Sequence, residues 1–294
     1  MSIVTFWNDD REQSGKTLTS VAVATRMAIE RNYKILLIST SFLDPTIKNC
    51  FWGNEVSRNL KLFGGKLNNI AVENGIEGLS KLIAANKLTP DVITDYTKVI
   101  FKGRLEVLNG FNGMKDADEM TNIKTYEKIA EGYVDLIRTA NQYYDMVLVD
   151  LDKTIFAGIR EKILEISNVN VMVFSQKKES LDRYIKYKEN ASSGELNKLV
   201  PVIGKYMDQS KYNLKNIMKY IGERKEINVV PFNMLYFEAA EEAMVTDLFL
   251  RLKNVKDTSD ENYIFMQDVL NLTDKIIKRL QELQMKMRWK DDTN

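Results

Sequence analysis

The sequence predicts an α/β protein in which a doubly wound, mostly parallel sheet is flanked by helices. Short apolar runs alternate with longer helical patterns along the 294 residues, as they do in folds with a parallel sheet. A strand, a polar loop, a helix and a second strand follow one another within residues 1–40, which describes a βαβ unit. No linker rich in proline, glycine and serine interrupts the pattern, so we expect one domain over residues 1–294.

The strands are predicted from short aliphatic and β-branched runs that are bounded by polar or turn-forming residues. The first run precedes a long polar segment, the third precedes an Asn-Gly turn, and the fourth ends in a carboxylate. The remaining runs have the same buried character. The predicted strands lie at residues 3–7, 34–38, 105–108, 145–150, 169–174, 199–203 and 228–230.

The helices are predicted from longer segments whose apolar residues recur at intervals of three and four. The first of these segments carries Val21, Ala24 and Ala28 on its inner side. The pattern is weaker between residues 39 and 113, where two helical pieces are placed. The predicted helices lie at residues 16–31, 75–85, 91–101, 125–142, 181–189, 238–252 and 261–289.

The composition excludes several classes of function. Lysine and arginine number 42 and aspartate and glutamate 41, so the net charge is +1 and any contact with DNA or a membrane requires a local patch. The absence of histidine excludes Ser-His-Asp and Cys-His catalysis. A single cysteine, Cys50, excludes an internal disulfide and a cysteine-rich metal site within one chain. The lack of a long apolar run or a signal-peptide pattern predicts a cytoplasmic protein.

The first strand–helix connection carries the end of a phosphate-binding loop. Gly15-Lys16-Thr17 matches the close of the pattern G-x-x-x-x-G-K-[ST], although Asp10 takes the place of its first glycine. In such loops the glycine lets the backbone approach the phosphates, the lysine reaches the β- and γ-phosphates, and the threonine hydroxyl coordinates Mg²⁺. The position between an apolar strand and an apolar helix favours a nucleotide site over a chance match. The predicted site comprises Ser14, Gly15, Lys16, Thr17 and Leu18.

A carboxylate ends the predicted strand at 145–150. In phosphate-loop proteins an aspartate at this position lies beside the loop and holds Mg²⁺. Asp150 is therefore predicted to share a metal site with Thr17, and Asp152 can assist it. The alternative is a strand that ends at a solvated aspartate, which is common. The combination with the phosphate loop favours the Mg²⁺ role.

These motifs together resemble the ParA/MinD family of ATPases, whose Walker A loop is a deviant one. The family loop, K-G-G-x-G-K-T, aligns without a gap with residues 11–17. The strand at 34–38 is similar to the family's second strand, and the strand at 145–150 resembles its Walker B strand. Residues 229–233, with the helix that follows, resemble its last strand and base-side loop. The resemblance spans nearly the whole chain.

The resemblance implies ATP and Mg²⁺ as ligands and an ATP-dependent sandwich homodimer. Arg11 stands where the family's signature lysine reaches the partner's phosphates, and Pro231 and Asn233 stand in the base-side loop. Arginine keeps a permanent positive charge and can bind phosphate oxygens, so the replacement is chemically tolerable. Family members position plasmids, chromosomal loci or membrane machinery. The resemblance therefore also implies a protein partner that stimulates the ATPase and a location at the membrane or nucleoid.

One departure from the family pattern bears directly on hydrolysis. The family's second strand ends in Asp-x-Asp, which helps to position the attacking water and Mg²⁺, whereas residues 39–41 of this chain read Ser-Thr-Ser. Asp44 lies a few residues further on and is the candidate to replace the missing carboxylates if the loop bulges. This departure predicts slow hydrolysis, or binding without turnover.

Two further departures concern the ligand itself. Asp9, Asp10 and Glu12 bring negative charge near the expected phosphates and weaken binding unless they point away. Residues 204–206 read Gly-Lys-Tyr, where an asparagine usually recognises adenine. Two functions stay open: a positioning ATPase with weak turnover, and a non-hydrolysing, ATP-dependent scaffold of a pilus or secretion assembly, similar to TadZ/CpaE.

The predicted C-terminal helix at 261–289 is amphipathic. Ile276, Leu280, Leu283 and Met287 form an apolar stripe at intervals of three and four, with lysines and arginines around it. Such a helix either packs its stripe on the core or lies on an anionic membrane, and its cations can also contact DNA. We favour packing on the core.

Overall fold

The computed structural model describes residues 1–9, 13–53, 75–85, 87–114, 117–224 and 227–291. The strands are β1 (Ser2–Trp7), β2 (Ile35–Ser39), β3 (Lys98–Phe101), β4 (Leu105–Leu108), β5 (Met146–Asp150), β6 (Val169–Phe174), β7 (Leu199–Tyr206) and β8 (Asn228–Pro231). The first helices are α1 (Lys16–Glu30), α2 (Thr46–Phe51), α3 (Ile76–Ala84), α4 (Pro90–Asp95), α5 (Glu119–Glu131), α6 (Tyr133–Ala140) and α7 (Ala157–Ile166). The later helices are α8 (Lys178–Asn190), α9 (Ser193–Lys198), α10 (Leu214–Ile221), α11 (Met234–Glu241), α12 (Val245–Leu252) and α13 (Glu261–Asp291).

In the described part of the chain, eight strands form one sheet in the order β3-β4-β2-β5-β1-β6-β7-β8. Each neighbouring pair is parallel except β3 with β4, which is antiparallel. Strand β1 lies between β5 and β6, so the loop that follows β1 opens at the centre of the sheet. This arrangement confirms the predicted fold class of a mostly parallel sheet flanked by helices.

Helices cover both faces of the sheet because its central strands are apolar on both sides. Along β5, Leu148 enters the core formed with α1, α11, α12 and α13, whereas Val147 enters the core on the opposite face. Val21, Ala24 and Ala28 of α1 are buried in the first core, as the helical periodicity predicts. Packing against the two cores fixes the positions of the strands and therefore of their carboxyl ends.

The weakly patterned region differs from the prediction. The helix predicted at 91–101 is wrong in its second half, because α4 ends at Asp95 and residues 98–101 form β3. This strand contains two β-branched residues and an aromatic one, which favour extended backbone. Gly103, with φ +71°, permits the tight turn into β4. The predicted set also lacks α2, α7, α9 and α10.

Two long predicted helices are each divided in two. The helix predicted at 125–142 is α5 followed by α6, with Gly132 between them. A Cβ on Gly132 would lie 2.2 Å from Ile83 Cγ2, so the chain at this point approaches α3 closely. The helix predicted at 238–252 is α11 followed by α12, and Ala243 between them has φ +59°, which breaks the helix.

The C-terminal helix α13 packs its apolar stripe on the core. Ile276 and Leu280 are buried in the core that contains α1, and Leu283 packs against it. Arg31, after the end of α1, pairs with Asp274 of α13. The core interpretation is confirmed for this part of the stripe, and the side chain of Met287 lies outside the described residues. None of the helices found in the described segments combines the length and the apolar character needed to cross a bilayer.

The thiol of Cys50 is expected to be inert while the chain is folded. Cys50 is fully buried in α2, and this burial raises the pKa of its thiol far above the usual range. Since the thiolate is the reactive form, we expect labelling by a maleimide at pH 8 to be at least roughly 100-fold slower than in denaturant. Mass spectrometry gives the measurement, with one label per unfolded chain as the reference, since Cys50 is the sole cysteine. Rapid labelling of the native protein would show that α2 opens in solution.

Candidate functional site

The candidate site lies at the carboxyl edge of the sheet, where β1, β5 and α1 meet. Helix α1 begins at Lys16, and Gly15 occupies its N-cap position with φ +83°, a conformation that favours glycine. Glycine has no side chain to cap the helix, and the first turn contains no acidic residue. The positive end of a 15-residue helix therefore faces this edge without a neutralising side chain of its own.

Lys16 and Thr17 both contact Asp150, which ends the neighbouring strand β5. Lys16 Nζ donates to Asp150 Oδ1 at 2.6 Å, and Thr17 Oγ1 donates to Asp150 Oδ2 at 3.0 Å. Lys16 is 9% exposed and Asp150 is 2% exposed, so this is a buried ion pair. The structure thus brings together the end of the phosphate loop and the carboxylate that the sequence analysis pairs with it.

Burial and hydrogen bonding act in opposite directions on Asp150. Its burial raises the pKa of the carboxyl above the ordinary value, whereas the ammonium of Lys16 and the hydroxyl of Thr17 lower it. The paired form satisfies both carboxylate oxygens within the protein. A ligand that takes Lys16 as its partner must therefore compete with an internal carboxylate.

Residues 39–41 form a network of hydroxyl groups beside Asp150. Ser39 is the register partner of Asp150 in the parallel pair of β2 and β5. Ser39 Oγ donates to Ser41 Oγ at 2.9 Å, and Thr40 Oγ1 accepts from the Asp152 backbone N–H at 2.8 Å. Two helices hold this segment from outside, because hydroxyls of their tyrosines donate to its backbone carbonyls. These tyrosines are Tyr126 of α5, at 2.5 Å from Thr40 O, and Tyr133 of α6, at 3.4 Å from Ser39 O.

The carboxylates of Asp44 and Asp152, the other acidic candidates of the sequence analysis, each accept hydrogen bonds from the threonine two residues further along the chain. Asp44 Oδ1 accepts from the backbone N–H of Thr46 at 2.9 Å and from its hydroxyl at 2.6 Å, which fixes the start of α2. Asp152 Oδ1 accepts in the same way from Thr154, at 2.7 Å in both cases. A catalytic role for Asp44 stays a prediction, and in this arrangement its Oδ1 is bonded to Thr46.

The phosphate loop packs tightly against β7, a contact that sequence motifs do not reveal. A Cβ on Gly204 would lie 2.2 Å from Ser14 O and 2.8 Å from Val173 Cγ1, so only glycine leaves room for the loop at this point of β7. Within the loop, Asn8 Nδ2 donates to Ser14 Oγ at 3.0 Å. Gly204 therefore sets the position of the loop by its lack of a side chain.

The acidic start of the loop is partly neutralised by arginines of two helices. The Asp9 carboxylate lies 3.9 Å from Arg160 Nη1 of α7, and its backbone oxygen accepts from Arg183 Nη1 of α8 at 3.2 Å. These contacts counter the repulsion expected between Asp9 and a bound phosphate. Arg11, Asp10 and Glu12 lie outside the described residues.

A cleft extends from Gly15 toward the end of β8 and the start of α11. Its walls include the side chains of Leu18, Pro231, Phe232 and Phe237, with Lys205 on the side of β7. The ring centroids of Phe232 and Phe237 are 6.3 Å apart, and both rings are partly exposed. The cleft thus offers flat apolar walls next to the helix end, and it contains Pro231 and Asn233, the residues assigned to the base-side loop by the resemblance.

The donor set is suited to a nucleoside triphosphate with Mg²⁺. Mg²⁺ prefers oxygen ligands and is usually held by one or two carboxylates together with phosphate oxygens and water. Thr17 and Asp150 supply one hydroxyl and one carboxylate at the end of a helix that favours anions. Across the described ranges no cluster of three or more acidic, cysteine or histidine residues forms a metal cage. The residues therefore suit a metal that arrives with a phosphate ligand.

Comparison with known proteins defines the fold more closely. No protein-family model matches the chain, and no curated protein matches its sequence. A ParA family ATPase from Chlorobium tepidum TLS superposes with a TM-score of 0.64 at 15% identity, over 92% of this chain and 97% of that chain. The septum site-determining protein MinD from Pyrococcus horikoshii OT3, complexed with Mg-ADP, gives 0.59 at 12% identity, over 94% and 95%. A putative plasmid partition protein from Borrelia burgdorferi B31, bound to AMPPNP, gives 0.55 at 15% identity, over 93% and 98%.

These matches confirm the architecture that the motifs imply. They cover nearly the full length of both chains in each comparison, and the sheet order places the loop after β1 at the centre of the sheet. At identities of 12–15% the likeness defines the fold. The chain therefore has the P-loop ATPase fold of ParA and MinD proteins.

Proposed function

We propose that this chain is a nucleotide-switched protein of the ParA/MinD kind, which binds ATP and Mg²⁺ where α1 meets β5. The observation that carries the proposal is the joint contact of Lys16 and Thr17 with Asp150 at the start of α1. The Mg-ADP and AMPPNP complexes of the structural neighbours support the choice of ligands. The ATPase fold and the retained Gly-Lys-Thr segment support phosphate binding by the loop.

Each residue of the site has a role in this proposal. Backbone N–H groups from Ser14 to Leu18 hold the phosphates, and Lys16 exchanges Asp150 for phosphate oxygens. Thr17 and Asp150 hold Mg²⁺, which when bound neutralises charge on the phosphates. Pro231 and Asn233 border the base. Because Lys16 Nζ donates to Asp150 Oδ1, the exchange at Lys16 would free that oxygen, which could then hold Mg²⁺.

The switch controls association in this proposal. Arg11 contacts the phosphates of a second copy, so that nucleotide binding favours a homodimer. The dimer positions a cargo, which is a plasmid, a chromosomal locus or a membrane-associated machine, and a protein partner stimulates its ATPase. We place the protein in the cytoplasm, at the periphery of the membrane or nucleoid when it acts.

Slow hydrolysis is part of the proposal. At the end of β2, hydroxyls take the place of carboxylates, and they bond to one another and to the neighbouring backbone. Asp44 Oδ1 accepts two hydrogen bonds from Thr46, which hold the carboxylate in its present orientation. Turning it toward an attacking water would cost free energy, so we expect weak ATPase activity.

The hydroxyl side chains at residues 39–41 also favour a second candidate function. A protein that binds ATP without turnover has no need of a water-positioning carboxylate at residues 39–41. It would use the ATP-held dimer as a localisation or scaffold element of a pilus or secretion assembly, of the TadZ/CpaE kind. The two functions differ in turnover and share the nucleotide-dependent dimer.

Light scattering with and without ATP and Mg²⁺ tests the proposal, with ATP turnover read on the same samples. We expect a shift from monomer to dimer with ATP. In Lys16→Ala we expect nucleotide affinity to fall roughly tenfold or more, because a hydrogen bond to a charged group contributes about 1.5–3 kcal/mol. Lys124→Ala, which removes an exposed lysine of α5, is the matched control and should behave as the wild type.

The outcomes separate the candidates. Turnover, alone or with added DNA, lipid vesicles or cell extract, supports the positioning ATPase, whereas a stable dimer without turnover supports the scaffold. If the wild type neither binds ATP nor changes its mass, the proposed function is wrong and the fold alone stands.

A further inference from the structure

An apolar surface borders the candidate site, on the residues that follow β8 and begin α11. Phe232, Met234, Leu235 and Phe237 fall within six consecutive residues, and each of them is between 40% and 56% exposed. Tyr236, which lies between two of them, is buried in the core. Large apolar side chains grouped on a surface are unfavourable in water and mark a place where another molecule binds.

The exposed face of α11 becomes acidic toward its end. Glu238 and Glu241 follow Met234 at intervals of four and seven, so they continue the same stripe, and both are exposed without an ion pair to any described residue. The last turn of α11 contains no basic residue, although a helix end favours cations there, so helix stability does not explain the two glutamates. The α11 surface comprises Phe232, Met234, Leu235, Phe237, Glu238 and Glu241.

The combination of apolar and acidic side chains restricts what can bind the α11 surface. Glu238 and Glu241 repel anionic lipid and nucleic acid. A second copy that used the same surface would bring the glutamates of both copies together. A partner that carries apolar side chains followed by lysines or arginines satisfies both parts. Leu235 and Glu241 are about 9 Å apart along the helix axis, a distance that two turns of a partner helix match.

We propose that the α11 surface docks a partner protein through a basic amphipathic helix. The apolar side of that helix covers Met234 and Leu235 together with the two phenylalanine rings. Its lysines or arginines pair with Glu238 and Glu241. Both contacts remove a feature that is unfavourable in the free chain, namely apolar area in water and unpaired charge at the end of a helix.

The buried side of α11 connects the docking surface to the phosphate loop. The hydroxyl of Tyr236 donates to Leu18 O at 2.6 Å, in the first turn of α1. Phe232 and Phe237 are also walls of the cleft that begins at Gly15. A nucleotide in this cleft fixes the two rings and so lowers the cost of ordering them when the partner docks. This coupling rests on the proposed function, whereas the docking itself does not.

A titration of the full chain with a synthetic peptide, followed by fluorescence anisotropy, tests the docking. The probe is a helix of about 18 residues with leucines on one face and lysines on the other. A peptide with glutamates in place of the lysines is the reference. We expect the lysine peptide to bind at least roughly tenfold more tightly than the reference, and the difference to shrink as ionic strength rises.

Two double variants separate the apolar and acidic contributions. Met234→Ser with Leu235→Ser removes the apolar part, and Glu238→Lys with Glu241→Lys reverses the charge. Each is expected to weaken binding of the lysine peptide roughly tenfold. None of the four residues is among the described residues that line the cleft, so both variants should still bind AMPPNP.

The matched controls change exposed residues elsewhere on the chain. Leu250→Ser on α12 removes an apolar side chain that is 45% exposed, and Glu127→Lys on α5 reverses an exposed charge. Both should bind the lysine peptide as the wild type does. Thermal unfolding, followed by circular dichroism, shows that every variant is folded under the conditions of the titration.

The inference is overturned if both double variants bind the lysine peptide as tightly as the wild type. It is also overturned if Met234→Ser with Leu235→Ser abolishes self-association in light scattering or binding to anionic vesicles, since the occupant is then a second copy or a membrane. Either result leaves the proposed function intact, because nucleotide binding is measured separately.

The titration with AMPPNP and Mg²⁺ present tests the coupling. We expect the lysine peptide to bind about fivefold more tightly, or better, when AMPPNP is bound. Equal peptide affinity with and without bound AMPPNP overturns the coupling. Failure of the wild type to bind AMPPNP overturns the proposed function instead, and the docking is then decided by the titrations without nucleotide.

Discussion

Replacing Gly204 by alanine is expected to lower the free energy of unfolding by about 2–3 kcal/mol, in the upper part of the usual range for overpacking a close contact. The added methyl group would lie 2.2 Å from the backbone oxygen of Ser14 and 2.8 Å from a methyl group of Val173. A backbone atom cannot rotate away, so either β7 or the phosphate loop must shift. Because the loop is the less regular of the two, we expect it to move and nucleotide affinity to fall together with stability.

Urea unfolding and nucleotide titration of the same variant check this result. Gly158→Ala is the matched control, since an alanine Cβ at this position of α7 meets no atom within 4 Å. Alanine is the better helix former, so the control should be neutral or slightly more stable. Equal stability of the two variants would show that the contact between Gly204 and Ser14 is looser in solution.

Breaking the buried ion pair between Lys16 and Asp150 is expected to cause a still larger loss of stability. Removal of one partner from a buried pair leaves an uncompensated charge and typically costs about 3–5 kcal/mol. We therefore expect Lys16→Met and Asp150→Leu each to destabilise the nucleotide-free protein by about that amount. Asp150→Leu also leaves the hydroxyl of Thr17 without its acceptor.

The double variant is the informative control in this cycle. Replacement of a whole buried pair by apolar residues is often close to neutral, so we expect it to be more stable than either single variant. Urea unfolding of the four proteins, all without nucleotide, gives the coupling free energy. Additive losses would mean that Lys16 and Asp150 do not form a pair in the folded protein in solution.

The sequence predicts the parts of the site that follow from strand ends and local motifs. Lys16 and Thr17 follow β1, and Asp150 ends β5; these strands are neighbours, so their contact follows from any sheet of this class. The strands at 105–108 and 169–174 match the prediction because aliphatic runs between polar boundaries are local signals. Features that follow from the local sequence, such as the strands and the residues at their ends, can therefore be predicted.

Other features depend on how distant segments meet. The need for glycine at 204 arises from the backbone of Ser14, and the next residue, Lys205, lies against Gly15 of the same loop. Periodicity alone does not distinguish β3 from a helix, because its short run becomes a strand by pairing with β4. The break after α5 likewise reflects the close approach of Gly132 to Ile83. Steric contacts of this kind form only when distant segments meet in the folded chain, so local sequence patterns do not reveal them.

The outer strands of the sheet limit how copies of this chain can aggregate. At one border β3 is four residues long, its register is bulged between Val99 and Phe101, and it begins at Lys98. At the other border β8 is also four residues long and ends in Pro231, which lacks a backbone N–H. Short, irregular borders of this kind are poor templates for adding a foreign strand and discourage fibre growth. Any association between copies would then involve side chains and loops rather than the addition of strands.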